Sequence, residues 1–446
     1  MKRAFFPLMS LAMAFGALAV PAADGPAVGP EFEVNTYTVN IQEQPRVAAR
    51  PDGNFVVVWT SDGSSGSDGS SQSVQGQRFL ADGNPEGSEF QVNTYTVFSQ
   101  SRPDVAYAAD GRFVVVWDSN GSLGSDSDGY SVQAQRYLAD GTPDGSEFQV
   151  NSFTPSDQRL PKVASAPDGR FAVVWASEES AGSDSSSFSI QLRRFAADGT
   201  PVGPDQQVNT YTTESQSSPT VSVASDGDFI VGWESLGSPG SDSDGESIQS
   251  RRYAADGTPA GPQFQVNTLT SGPQERPHLV HLAGGGFVVS WHGDSFGNDF
   301  SPPSIQARVA DANGMPINTE FQVNTQTSGS QVDPRLAATP DGGFIVTWRS
   351  DSSSGSDNSL SSIQHRRFLE DGTPASAEFQ VNTWTTFHQR HPSVAASSNG
   401  DFVVVWESDD SAGDFLGSIL AQRFSLNIFS DGFESGDTSA WTVVVP

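Results

Sequence analysis

Short apolar runs alternate with polar, glycine-rich spacers along this chain, and the runs recur on a fixed period. Phe55-Val56-Val57-Val58-Trp59 is one of seven such runs, which end at Trp59, Trp117, Trp175, Trp233, Trp291, Trp348 and Trp406. Successive tryptophans lie 58 residues apart, with one gap of 57. Period two puts Phe55, Val57 and Trp59 on one face and Val56 and Val58 on the other. Both faces are apolar, which predicts a strand covered on both sides. Phe, Val and Trp recur on the first face in all seven copies. The second face varies among small and branched residues, including Gly232, Ser290 and Thr347.

Around each run the unit is the same. Gln-x-x-Pro leads into a short apolar strand, then an Asp-Gly-type turn, then the tryptophan strand. A Gly/Ser/Asp loop follows, then Ser-Ile-Gln-x-Gln-Arg-Phe, Ala-Asp-Gly-Thr-Pro and Glu-Phe-Gln-Val-Asn-Thr. That makes four β-type runs separated by turn chemistry, and no stretch has sustained helical periodicity. Seven four-stranded units, large on one face and small on the other, predict an all-β seven-bladed propeller. The Glu-Phe-x-Val-Asn-Thr strand occurs once before any complete unit, at Glu31–Thr36, and the last unit ends at Phe424 without its own copy. The N-terminal strand is therefore expected to complete the last blade and leave no open edge.

The ends set the domain limits. Lys2 and Arg3 precede an apolar run from Ala4 to about Val20, and Val20-Pro21-Ala22 supplies a cleavage pattern. Residues 1–22 read as a signal peptide, 23–424 as the propeller and 425–446 as a C-terminal tail. The expected location is extracellular or periplasmic. No later segment approaches the roughly 20 apolar residues of a membrane span. The formal net charge is −30, with lysine only at positions 2 and 162. Nucleic acid and anionic lipid are therefore poor partners, since both need a basic footprint. There is no cysteine, which excludes disulfides and thiolate metal sites. A monomer is expected.

In a propeller of this strand order one face carries the longer loops, where function usually sits. We call it the upper face. Each of its loops between the second and third strands holds an aspartate: Asp68, Asp126, Asp184, Asp242, Asp299, Asp357 and Asp414, joined in two loops by Asp128 and Asp244. Two readings fit. Aspartate and serine oxygens suit a hard cation such as calcium, and aspartate also caps its own loop by accepting backbone N–H bonds. Aromatics recur in the loops entering the blades, at Tyr37, Tyr95, Phe153, Tyr211 and Trp384. They could stack on sugar faces or cover the rim of the sheet. A glutamine in every blade (Gln42, Gln100, Gln158, Gln216, Gln274, Gln331, Gln389) and the third-strand arginines (Arg78, Arg136, Arg194, Arg252, Arg367, Arg423) are expected to join blade to blade. All six histidines fall in the last three blades, at His278, His281, His292, His365, His388 and His391. They are expected as scattered surface residues, because a zinc or general-base site would need several to converge. Phosphate-loop and His-Glu-x-x-His patterns are absent from the sequence.

Asp-Gly-x-Phe-Val-Val-Val-Trp, Ser-Val-Gln-Ala-Gln-Arg-Tyr-Leu-Ala-Asp-Gly-Thr-Pro and Glu-Phe-Gln-Val-Asn-Thr resemble repeats of large exported bacterial proteins of the RTX-like, calcium-binding adhesin type. The resemblance covers about residues 31–424 and implies adhesion. The Gly-Gly-x-Gly-x-Asp nonapeptides of true RTX arrays are absent from this chain. The expected function is an exported binding or adhesion propeller holding a glycan or surface polymer on its upper face. The alternatives are a polysaccharide hydrolase or lyase, with carboxylates near the channel mouth, and a structural module stiffened by Ca2+.

Overall fold

The computed structural model describes residues 27–180, 182–294, 303–357, 359–409 and 417–426. Residues 1–22, expected as a signal peptide, nearly all of residues 425–446, Asp299 and Asp414 lie outside the described residues. The described chain forms seven four-stranded antiparallel sheets arranged as a ring, the expected seven-bladed propeller. Blade 1 runs outward from the axis through Gln42–Ala49, Phe55–Asp62, Gln72–Phe79 and Phe90–Gln91. Blade 7 contains Gln389–Ala396, Asp401–Ser408 and Ser418–Ser425, and its fourth strand is Phe32–Glu33 from the N-terminal end. Closure by the first strand is therefore present, with Val34 N–H donating to Ile419 O at 2.8 Å.

Packing follows the two-faced tryptophan strand. Val57 and Trp59 of blade 1 cluster with Val403 and Val405 of blade 7, while Val56 and Val58 cluster with Val115 and Trp117 of blade 2. The bulky face of each blade thus presses on the smaller face of the one before it. The seven strand tryptophans, Trp59 to Trp406, are all buried. At the lower end an aromatic pair stacks within six blades, for example Phe55 on Phe79 with centroids 4.9 Å apart. Blade 5 has Ala310 opposite Phe287 instead.

Two kinds of contact tie blade to blade at the polar positions. In four blades the third-strand arginine reaches a turn carbonyl of the next blade, as Arg78 to Ala139 O at 3.0 Å and Arg136 to Ala197 O at 2.8 Å, whereas Arg367 pairs with Asp341 of its own blade. Across the closure, Arg423 reaches Asp82 O. The second contact was not anticipated from sequence. The acidic or amide residue before each outermost strand accepts the backbone N–H of the Thr or Ser after Val-Asn in the preceding blade. The seven pairs are Glu89–Thr36, Glu147–Thr94, Asp205–Ser152, Gln263–Thr210, Glu320–Thr268, Glu378–Thr325 and Glu31–Thr383, at 2.5–2.7 Å. This clamp ring is unbroken and passes through the closure.

One strand begins earlier than its sequence suggests. Gln-x-x-Pro does not precede the innermost strand but forms its first half. Proline lacks a ladder N–H, and pairing skips two residues, as between Glu43 and Arg46 in blade 1. The residue before the proline takes positive φ in every blade: Gln44, Arg102, Leu160, Ser218, Arg276, Asp333 and His391, between 48° and 58°. Non-glycine residues rarely adopt that conformation. Here a β-bulge imposes it, and bulges re-aim side chains.

Candidate functional site: the central channel and its upper mouth

The bulge sends the residue after each proline into the central channel. Blade by blade these residues are Arg46, Asp104, Lys162, Thr220, His278, Arg335 and Ser393, and they line one cavity of about 450 Å³. The scaffold positions described above repeat around most or all of the ring, but this one differs in nearly every blade. Lys162, the one lysine of the chain besides Lys2, stands in it.

Three members are bound to the wall by the next blade's backbone. Asp104 Oδ2 accepts Val163 N–H at 2.9 Å, His278 Nδ1 accepts Leu336 N–H at 3.2 Å, and Ser393 Oγ accepts Val47 N–H at 3.3 Å. The cations are held more loosely. Arg46, Lys162 and Arg335 each donate to the carbonyl of their own preceding proline, at 2.7, 3.0 and 2.8 Å, and form no ion pair among the described residues. Burial pulls the Lys162 ammonium down to about 8; Arg46 and Arg335 add repulsion, and Asp104 and Asp118 oppose it. Burial also lowers both guanidinium pKa values, and Arg46 adds repulsion on Arg335. His278 is held well below its usual range by burial, then by Arg335, Arg46 and Lys162, so its imidazole is neutral. With Nδ1 accepting, Nε2 carries the proton.

Above this ring the bulge residues form the mouth. In five blades their backbone N–H is taken by the residue after the preceding blade's tryptophan: Glu407, Thr60, Asp118, Glu234 and His292 receive Gln44, Arg102, Leu160, Arg276 and Asp333. The arginines here are paired. Arg102 pairs with Asp118 at 3.0 Å, Arg159 with Asp157 at 2.7 Å, Arg390 with Asp409 at 3.1 Å, and Arg276 with Asp333. Burial pushes the Asp118 carboxyl up to about 6 against the pull of Arg102. Burial acts the same way on Asp333, but Arg276 and Arg335 prevail and hold it near 2. Between blades 7 and 1, His391 Nδ1 lies 2.7 Å from Glu407. The Glu43 carboxyl close by is raised by burial and by Glu407, with His391 opposing.

The loop aspartates lie farther out. Asp68, Asp126, Asp184, Asp242 and Asp357 are buried. In each, Oδ1 accepts the N–H two residues on, and Oδ2 accepts the amide of the Val-Asn-Thr asparagine at 2.6–2.8 Å. Asp128 and Asp244 accept N–H bonds from Ser156 and Gly272 of the adjoining loop. These carboxylates join loop to outer strand. Among the described residues no three His, Asp or Glu side chains group as a metal cage, whereas calcium takes roughly six to eight oxygens.

The loop aromatics Tyr37, Tyr95, Phe153, Tyr211 and Trp384 are half-buried. The Tyr37 hydroxyl lies 2.8 Å from where a Cβ on Gly63 would stand, and Tyr95 and Tyr211 cover Gly121 and Gly237 in the same way. Those rings rest on the loop and stay partly exposed. The histidines are less exposed than expected. His292 and His365 are buried, the latter packed on Phe379, and the other four are half-buried. The repeated glutamines are fully buried. Gln42, Gln274, Gln331 and Gln389 accept the indole N–H of their own blade's tryptophan. Gln100, Gln158 and Gln216 accept the asparagine amide of the blade before. A second cavity, of about 480 Å³, opens at the lower rim beside Asp226, Asp228, Arg252 and His281. Among the described residues no helix is long and apolar enough to cross a membrane.

No family model and no curated protein matches this chain. Solved structures do resemble it. A protein of unknown function from Dyadobacter fermentans is 9% identical, with 91% of this chain and 100% of that chain covered and a TM-score of 0.51. A fungal alcohol oxidase of the AA5 family, in complex with copper, is 12% identical over 90% of this chain and 76% of that one, with a TM-score of 0.51. The polysaccharide lyase Uly1 is 10% identical over 93% and 94%, with a TM-score of 0.49. At such identities the likeness establishes the fold alone.

Proposed function

We propose that this chain is an exported carbohydrate-binding propeller whose ligand seats at the upper mouth of the central channel. The observation that carries the reading is where the symmetry breaks. Clamps, caps and tryptophans repeat blade after blade, as scaffold must, while the channel ring and the bulge residues above it present a different polar set from each blade. A concave cavity with a few converging polar groups is the usual form of a ligand site. Adhesion to a surface polymer is one use of such binding. The test is a glycan array with the purified chain and with Arg102→Ala and Arg276→Ala at the mouth. Retained folding with lost binding supports the reading, and binding unchanged in both variants would move the ligand elsewhere.

A second reading, cleavage of the glycan, is favoured by Glu43 and Glu407 with His391 between blades 7 and 1. A raised carboxyl beside a second one bonded to histidine is the kind of pairing that acid–base cleavage uses. Release of shortened chains from polysaccharides, abolished in Glu407→Gln, supports it. A chain that binds and never cleaves removes it.

A further inference from the structure

We propose that the channel ring is an anion site, so that the glycan bound at the mouth is an acidic one, entering with a carboxylate or sulfate group among Arg46, Lys162, Arg335 and the Nε2–H of His278. This inference rests on the reading of the mouth as a carbohydrate site and names the class of carbohydrate. Its basis is a contrast within one cavity. At the mouth, Arg102, Arg159, Arg276 and Arg390 each have a carboxylate partner. One layer below, three cations face a common space, and among the described residues none of them forms an ion pair.

The whole chain carries a formal charge of −30, so carboxylates to neutralise three buried cations were in ample supply. Asp104 is the one acid in the ring, and one of its oxygens is already taken by Val163 N–H. Burial first, and then the like charges beside them, lower Lys162 and Arg335 in this narrow channel. An anion between them relieves that repulsion and gains charge-assisted hydrogen bonds. The neutral His278 adds a donor without adding repulsion. Below the ring the wall turns small and largely apolar, with Ala106, Ala164, Ser222, Val280, Ala337 and Ala395. That floor offers no competing charge and strengthens the field above it.

The experiment is calorimetric titration of the full chain with trigalacturonic acid, a sulfated galactose oligomer, the neutral galactotriose and inorganic sulfate, at matched ionic strength. The acidic oligomers are expected to bind and galactotriose not to. Lys162→Gln and Arg335→Gln should each weaken acid binding about tenfold or more. Neither should lower the melting temperature in chloride, since neither breaks an ion pair. Asp104→Asn should tighten binding, a gain that a merely damaged channel would not produce. Equal binding of acidic and neutral oligomers overturns the anion site and leaves the carbohydrate mouth standing. Binding of sulfate alone, lost in Lys162→Gln, supports the anion site and sinks the carbohydrate reading. No binding by any of the four overturns both.

Discussion

A glutamate reaching back to the blade before it shows how far single residues govern this ring. Glu147 accepts the N–H and hydroxyl of Thr94 and the N–H of Tyr95, and burial raises its carboxyl. Glu147→Ala strands those donors and is expected to cost about 1–3 kcal/mol in urea unfolding. Glu147→Gln should cost clearly less, because Gln263 fills the same place in blade 4. Lys162 makes the opposite kind of contribution. Its folded pKa is about 8 against 10.5 for an ordinary lysine. Between those values the unfolded chain holds more protons, so ligand-free stability rises with pH from about 8 to about 10.5, and below 8 the full penalty stands. Lys162→Gln should flatten that limb of the stability–pH curve. A limb unchanged in the variant would mean that the channel lysine is as well solvated as a surface one.

At the scale of strands and loops, much could be read from the sequence and some could not. The tryptophan strand shows itself because period-two alternation and a fixed repeat act on the same residues, Phe55, Val57 and Trp59. Trp117→Ala is expected to lose about 3–5 kcal/mol, measured by the same unfolding. Gln-x-x-Pro was misplaced because proline and an unpaired residue look like a boundary, while the bulge keeps both inside the strand. That error hid the channel ring. The signal was nonetheless present: with the seven copies aligned, the column after the proline reads Arg, Asp, Lys, Thr, His, Arg, Ser, varied and polar inside a repeat that otherwise hardly changes. The glutamate clamp left no such trace, since a repeated Glu before an outer strand does not say which blade it reaches. Aspartates such as Asp126 were legible as residues of consequence, but cap and cation ligand demand the same oxygens. Melting temperatures in EDTA and in millimolar calcium are expected to coincide, given carboxylates already bonded to asparagine and backbone. A calcium-dependent rise of several degrees would return these loops to metal binding.

Over the whole molecule, charge is sorted by depth: an acidic exterior surrounds a channel whose unpaired groups are cationic. Binding of an acidic ligand should therefore weaken with added salt in the channel and be slowed on approach by the surface. The ring itself depends on one short strand. Removing residues up to Thr36 strips blade 7 of Phe32–Glu33, breaks the Glu31–Thr383 clamp and bares the Ser418–Ser425 edge. The expected outcome is a lower melting temperature with aggregation, seen by light scattering. That closure also orders events in time. A ribosome releases Phe32 nearly four hundred residues before Ala421, its partner across the ladder. The earliest strand of the propeller to be made thus waits longest for its ladder partner. Six blades can be stacked while it waits, but the circle has no inside, and so no channel, until the newest residues meet the oldest.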